Sequence, residues 1–159
     1  KVITTELYKI DAEDILIDNN QSIIISEKKA TIQDREDNKI FIENFEYQSE
    51  NNIFKSVGKI QILDKKGNSY NFSQIYIDTK KKEILGTDIK SYLNDQSFKI
   101  NERNKPRVFA NTLKMNEENT MFNKSIFTLC DYRKEDKCPP WSIQASKMFH
   151  DSKKKNNIL

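Results

Sequence analysis

The sequence predicts an all-β domain, one antiparallel sheet of repeated hairpins rolled over on itself. Apolar residues recur with period two, the mark of strands with one wet and one dry face. Polar turns break that period at short intervals. Apolar residues make up only 36% of the chain against 32% charged, which suits a thin core made by one sheet closing on itself. The length of 159 residues suits a single domain spanning the whole chain. A net charge of +3 with 10% aromatic residues separates it from disordered chains, which combine high net charge with few aromatics.

Along the first dozen residues, Leu7, Ile10 and Ile15 show a weak helical spacing that also fits strand or turn. Ile15-Leu16-Ile17-Asp18, a polar turn and Ile23-Ile24-Ile25 then form a hairpin unit. The unit returns at Ile75 to Asp78 with Ile84 to Gly86, and at Leu113 to Asn116 with Met121-Phe122. It returns again at Met148 to Asp151 with Ile158-Leu159. A unit that cannot bury its face alone implies a rolled or stacked architecture.

Within the later strands the odd positions read as one dry face. They are Leu85, Thr87, Ile89, Ser91 and Leu93; then Phe109, Leu113 and Met115; then Met121, Ser125, Phe127 and Leu129; then Trp141, Ile143, Ala145 and Phe149. Turns are expected at Asp18 to Gln21, Asp34 to Asn38, Ser49 to Asn52, Asp64 to Asn68, Thr79 to Lys82, Asn101 to Lys105, Asn116 to Asn119, and Ser152 to Asn157. With three Gly and three Pro, the chain must turn on Asn, Asp and Lys. The chain stops at Leu159 inside its last unit, so a longer parent protein is expected.

The residues point to binding and not to catalysis. The one histidine, His150, stands beside Asp151 at the end of a strand and reads as a turn former. Carboxylates alternate with lysines in turns, as in Asp34-Arg35-Glu36-Asp37. No phosphate loop, nucleophile elbow or HExxH is present, and no cofactor is expected. Interleaved charges argue against nucleic acid. No apolar run approaches the roughly 20 residues of a membrane-spanning helix. Cys130 and Cys138 bracket a charged loop. Their spacing and the single histidine argue against a metal site. A local disulfide and a pairing with cysteines elsewhere both stay open.

The inward apolar set is Phe41, Phe45, Ile60, Ile62, Leu85, Ile89, Leu93, Phe109, Leu113, Phe127 and Trp141. In a tightly closed sheet these residues are core. In an open V-shaped roll they line a groove for acyl chains, where each buried methylene contributes about 0.8 kcal/mol.

One segment carries a resemblance. It runs Thr128-Leu129-Cys130, a short charged loop, Pro139-Pro140-Trp141-Ser142-Ile143-Gln144-Ala145, and then His150-Asp151. It resembles the segment closing the N-terminal periplasmic domain of the LptD family, outer-membrane proteins of lipopolysaccharide assembly. The upstream hairpins resemble the OstA-like fold shared with LptA and LptC. The resemblance implies an open β-jellyroll in the periplasm of a Gram-negative bacterium, continuing into a transmembrane β-barrel. Such a domain would take lipopolysaccharide from the LptA bridge and pass its lipid A chains towards the barrel and LptE. It would join LptA by edge-strand addition, with Lys59, Lys90 and Lys114 at the rim meeting phosphates. By position Cys130 matches the family cysteine that pairs with the barrel's C-terminal part. Cys138 departs from the common enterobacterial pattern, as does the lack of a cysteine near Lys1. The Pro139-Pro140 pair is closer to alphaproteobacterial members. The alternatives are a stand-alone LptA-like bridge protein and a closed structural module without ligand.

Overall fold

In the computed structural model the chain is all-β, and no helix occurs among the described residues. The structure describes residues 2–4, 8–94, 106–129, 141–151 and 156–158. Cys130, Cys138, the Pro139-Pro140 pair and the Asn101–Lys105 turn lie outside them.

The strands are β1 (Val2–Thr4), β2 (Tyr8–Ala12), β3 (Leu16–Asp18), β4 (Ile23–Ser26), β5 (Ala30–Asp34), β6 (Lys39–Ile42) and β7 (Phe45–Gln48). They continue as β8 (Ile53–Leu63), β9 (Ser69–Asp78), β10 (Glu83–Tyr92), β11 (Arg107–Met115), β12 (Asn119–Thr128), β13 (Ile143–Asp151) and β14 (Asn156–Ile158). All fourteen form one open antiparallel sheet, an open β-jellyroll. Leu7 is not among the described residues, and the Ile10 segment is strand β2.

From β8 onward the sheet is a plain meander, each strand paired with its chain neighbours. Before β8 it forks. The far half of β8 pairs with β6, and the near half, Ile53 to Lys55, pairs with β7. β5 and β4 continue these two branches, and β2 and β3 continue them again. The early strands are therefore long strands broken in the middle: β2 with β3, β4 with β5, β6 with β7. The breaks fall at residues 13–15, 27–29 and 43–44.

The breaks continue a crease that the later strands cross intact. Phe72 and Ile75 are both buried, with Ser73-Gln74 between them. The same pattern sets Gly86 and Ile89 around Thr87-Asp88, and Ala110 and Leu113 around Asn111-Thr112. It sets Phe122 and Ser125 around Asn123-Lys124. Pairing aligns these sites, since Gln74, Thr87, Thr112, Asn123 and Lys147 stand opposite one another in turn. A regular strand alternates faces at every residue. Here two consecutive residues face outward, so the same face of the sheet stays buried on both sides of the crease.

The backbone shows how this is done. Asp88 (φ 53) and Lys124 (φ 48) adopt left-handed conformations inside their strands. In β8 a bulge between Val57 and Ile60, with Gly58 at φ 111, sets three residues between inward Ser56 and Ile60 and so matches the three-residue step from Ile75 to Phe72 in β9. Side chains hold the crease. Asn44 Nδ2 donates to the Val57 carbonyl at 2.7 Å, and Lys59 N donates to Glu43 Oε2 at 3.2 Å. Ser56 Oγ donates to the Asn44 carbonyl at 2.6 Å, and Ser26 Oγ to Asp14 Oδ1 at 2.8 Å. The first three contacts satisfy backbone groups that the broken ladders leave over, and Ser26 Oγ also donates to the Lys28 carbonyl at 3.0 Å.

Turns stack in rows at both ends of the strands. Asp34 Oδ1 accepts from the amides of Glu36 and Asn38, and Asp64 Oδ1 does the same for Lys66 and Asn68. Neighbouring turns then bond to each other: Ser49 N to the Ser22 carbonyl and Thr79 N to the Asn52 carbonyl, each at 2.9 Å. At the other end Lys65 N donates to Asn38 Oδ1 and Asn94 N to Asn68 Oδ1.

The creased sheet folds over on itself. Lys82 sits in the β9–β10 turn, at the opposite strand end from Tyr8 and Glu36. Its ammonium is held above the ordinary range by Glu117 first, and Glu36 and Tyr8 add to this. The Tyr8 phenol is raised by burial, then by Asp34 and Tyr47, with Lys82 opposing. Opposite ends of the strand set therefore lie within electrostatic reach of each other. Between them runs one apolar cluster from Ala12, Ala30 and Ile42 through Phe54, Phe72 and Ile89 to Phe122 and Met148.

Packing over Gly86 is tight, since an added Cβ would lie 2.3 Å from Phe72 Cδ1. Gly86→Ala is expected to cost roughly 1–3 kcal/mol in denaturant unfolding, and Phe72→Leu in the same chain is expected to restore part of it. Tyr70 gives a second prediction. Burial, then Asp64, pushes its phenol well above the ordinary value of 10.0, against a hydrogen bond with Asn68. The unfolded chain loses this proton first, so stability from Tyr70 is full below pH 10.0 and falls as pH rises beyond it. Thermal melts between pH 9 and pH 11 should show that decline, and Tyr70→Phe should flatten it.

Candidate functional site

The candidate site is the apolar interior of the roll. Inward rows are fixed by strand pairing. Before the crease, Ser56, Ile75, Gly86, Leu113, Phe122 and Met148 stand side by side. Beyond it, Ile89, Ala110, Ser125 and Ala145 do the same, and then Ser91, Val108, Phe127 and Ile143.

The residues expected from sequence divide between two faces. Phe45, Ile60, Ile89 and Leu113 lie in the buried cluster, and Ile62, Leu93 and Phe127 pack against it. The Phe45 ring stacks on Phe54 at 5.6 Å between centroids. Trp141 is 43% exposed. Its ring lies 6.3 Å from that of Phe127, and its carbonyl accepts from Thr128 Oγ1 at 2.7 Å.

Phe41, Leu85 and Phe109 do not join the inward set. Leu85 is 45% exposed, and pairing lines it up with Tyr76 and Lys114 on the outward face. Phe41 is 37% exposed, and Phe109 stands opposite exposed Lys90 and Ile126. Unbroken alternation puts Leu85 with Ile89, Phe109 with Leu113, and Met121 with Ser125. The crease between the members of each pair separates them. The lysines expected at a rim lie on this outward face too. Lys114 pairs with Glu83 at 3.2 Å, Lys90 is exposed, and Lys59 sits beside Glu43.

No protein-family model and no curated protein matches this sequence. The site therefore stands on its own geometry.

Alternation missed Phe54, Phe72, Ile75, Val108, Phe122 and Met148, all buried. A signal for most of them was present. Each later strand carries two polar residues between two inward ones, as in Phe72-Ser73-Gln74-Ile75 and Ala110-Asn111-Thr112-Leu113. Two grooves lie along the crease, with buried Ala12, Ala30, Ile42, Ile60 and Phe72 lining the first beside outward residues and Ser56, Ile75 and Leu113 lining the second. The first, of about 800 Å³, runs between Asp11, Thr31, Phe41 and Gln61 on one side and Glu13, Lys29, Glu43 and Lys59 on the other. The second, of about 500 Å³, sets Tyr76, Leu85 and Met121 against Gln74, Thr87 and Thr112.

Among the described residues, no group of His, Cys, Asp and Glu is arranged to hold a metal, and no helix is long and apolar enough to cross a membrane.

The two sides of the sheet should respond differently to truncation. Leu113 is 1% exposed, and Leu113→Ala is expected to cost about 2–5 kcal/mol. Leu85→Ala should stay within about 0.5 kcal/mol of the parent. Urea unfolding of both variants checks the assignment.

Proposed function

We propose that this domain is a carrier module of lipopolysaccharide transport in the periplasm, holding acyl chains in the apolar interior of its roll. The observation that carries the reading is the crease. It keeps one face apolar along the whole length of the long strands, and so gives one continuous interior inside an open sheet. A domain needing only stability has no need of a sheet left open. The interior offers shape and apolar surface.

The edges support the same reading. Among the described residues β14 pairs with β13 at Phe149, His150 and Asp151. At the other end β3 pairs with β4 alone, and Leu16 and Ile17 are exposed there. Unpaired backbone of this kind accepts a strand from a neighbour. Strand addition by an LptA-like jellyroll at one edge, and by a barrel-linked segment with LptE at the other, fits this arrangement.

A second reading has an observation of its own. Ile60, Ile89 and Leu113 are 2%, 1% and 1% exposed, as in a sealed core. A closed interaction module would look the same in this region. Lipid entry then requires the roll to part, which the broken strands on its N-terminal side make the easier side to move.

Site-specific photo-crosslinking separates the two. A benzophenone side chain is placed at inward Phe127 or Met115, or at outward Leu85, and the protein is incubated with lipopolysaccharide. Crosslinks at the inward positions and none at Leu85 support the carrier. Crosslinks confined to Leu85, or absent everywhere, contradict it.

A further inference from the structure

The second groove along the crease, of about 500 Å³, crosses the strands from β8 to β12. Neighbouring strands lie about 4.8 Å apart, so it runs about 19 Å. Strand pairing fixes its two walls, both made of side chains turned away from the interior. One wall is apolar. Tyr76, Leu85 and Met121 follow one another along it, with Lys114 between the last two. Exposed Phe149 of β13 extends this row beyond Met121. The other wall is polar and uncharged, with Gln74, Thr87, Thr112 and Asn123 opposite one another in turn. Between the walls runs the row of Ser56, Ile75 and Leu113, whose side chains turn inward.

These walls narrow the choice of occupant. Lys114 pairs with Glu83 at 3.2 Å, and Lys55, beside Tyr76, pairs with Glu46 at 3.7 Å. The apolar wall is therefore close to neutral, which disfavours a polyanion. Strands β8 to β12 are each paired on both sides, so an incoming β-strand finds no free ladder there. An acyl chain would strip water from the polar wall and return no hydrogen bond. That wall is ready to make several. Gln74 is exposed, and Asn123 Nδ2 donates to Thr112 Oγ1 at 3.0 Å, a bond that uses one of the two amide protons of Asn123. A sugar ring joins both chemistries in one body. Its C–H face packs on aromatic and aliphatic side chains, and its rim of hydroxyls pairs with amides and hydroxyls.

We propose that this trough binds a neutral linear glycan, its sugar faces on Tyr76, Leu85 and Met121 and its hydroxyls against Gln74, Thr112 and Asn123. The trough is separate from the apolar interior, and the assignment does not rest on the carrier reading.

Isothermal titration calorimetry of the 159-residue chain tests it, with cellohexaose, chitohexaose and maltohexaose as neutral probes and hexagalacturonate as the charged control. At least one neutral hexasaccharide is expected to bind, and hexagalacturonate is not. Tyr76→Ala should weaken binding about tenfold, while Tyr76→Phe keeps the ring and stays within about twofold of the parent. Gln74→Ala should weaken it about fivefold, the scale of one neutral hydrogen bond. Both positions are exposed, so the melting temperatures should match that of the parent. Binding of none of the three, binding led by hexagalacturonate, or binding that Tyr76→Ala and Gln74→Ala leave unchanged overturns the assignment. Tetradecanoate binding that is lost in Tyr76→Ala, with no hexasaccharide bound, puts an acyl chain in the trough instead and overturns it as well.

Discussion

A single sheet with one apolar face has only itself to bury that face against. It must fold over, and strands that fold over must bend. If alternation ran on unchanged through the bend, the inward residues would still share a face, but the backbone would have to curve smoothly over its whole length. The crease concentrates the change in one row. Left-handed residues at Asp88 and Lys124 each advance the pleat by one position there, while in β8 the bulge at Gly58 sets three residues between inward Ser56 and Ile60 and so keeps register with β9. The polar pairs Ser73-Gln74, Thr87-Asp88, Asn111-Thr112 and Asn123-Lys124 take the outward side. Ser73 Oγ bonds to Asp88, and Asn123 Nδ2 to Thr112 Oγ1, so the row is tied across strands.

The crease also explains the asymmetry of the sheet. β8 is the last strand to pair with separate pieces on its two halves, and it carries the bulge that divides them. On its N-terminal side the strands give way at the crease altogether, and Glu43, Asn44, Asp14 and Ser26 satisfy the loose ends. On its C-terminal side they run through. One flank of the roll is jointed and the other continuous. Under the proposed carrier role, the jointed flank is where the roll would part for an acyl chain.

The fold was legible in the sequence because turn chemistry and strand composition agree. Asp34 to Asn38, Asp64 to Asn68 and Asn116 to Asn119 are turns for the reason their residues suggest, side-chain oxygens capturing backbone amides two to four residues on. The site was half legible. Ile89, Leu113, Phe127 and Phe45 were placed inward by size and spacing, and they lie there. Leu85, Phe41 and Phe109 were placed inward by the same rule and lie outward, since period two holds only within each half of a strand. A left-handed Asp or Lys in mid-strand has no distinct composition, so the flip at Asp88 shows in sequence only through the polar pair it creates. Small inward residues such as Gly86 and Ala110 were overlooked because they bring no bulk to a hydrophobic count, although their smallness shapes the interior.

The central claim is that the face of the sheet changes phase at the crease. Single cysteines at Leu85, Thr87, Asp88 and Ile89, with Cys130 and Cys138 replaced by serine, test it directly through their rates of reaction with a water-soluble thiol reagent. The account predicts rapid labelling at 85, 87 and 88 and protection at 89. Labelling of 85, 87 and 89 alike, with 88 set apart from them, is the signature of unbroken alternation and would contradict it.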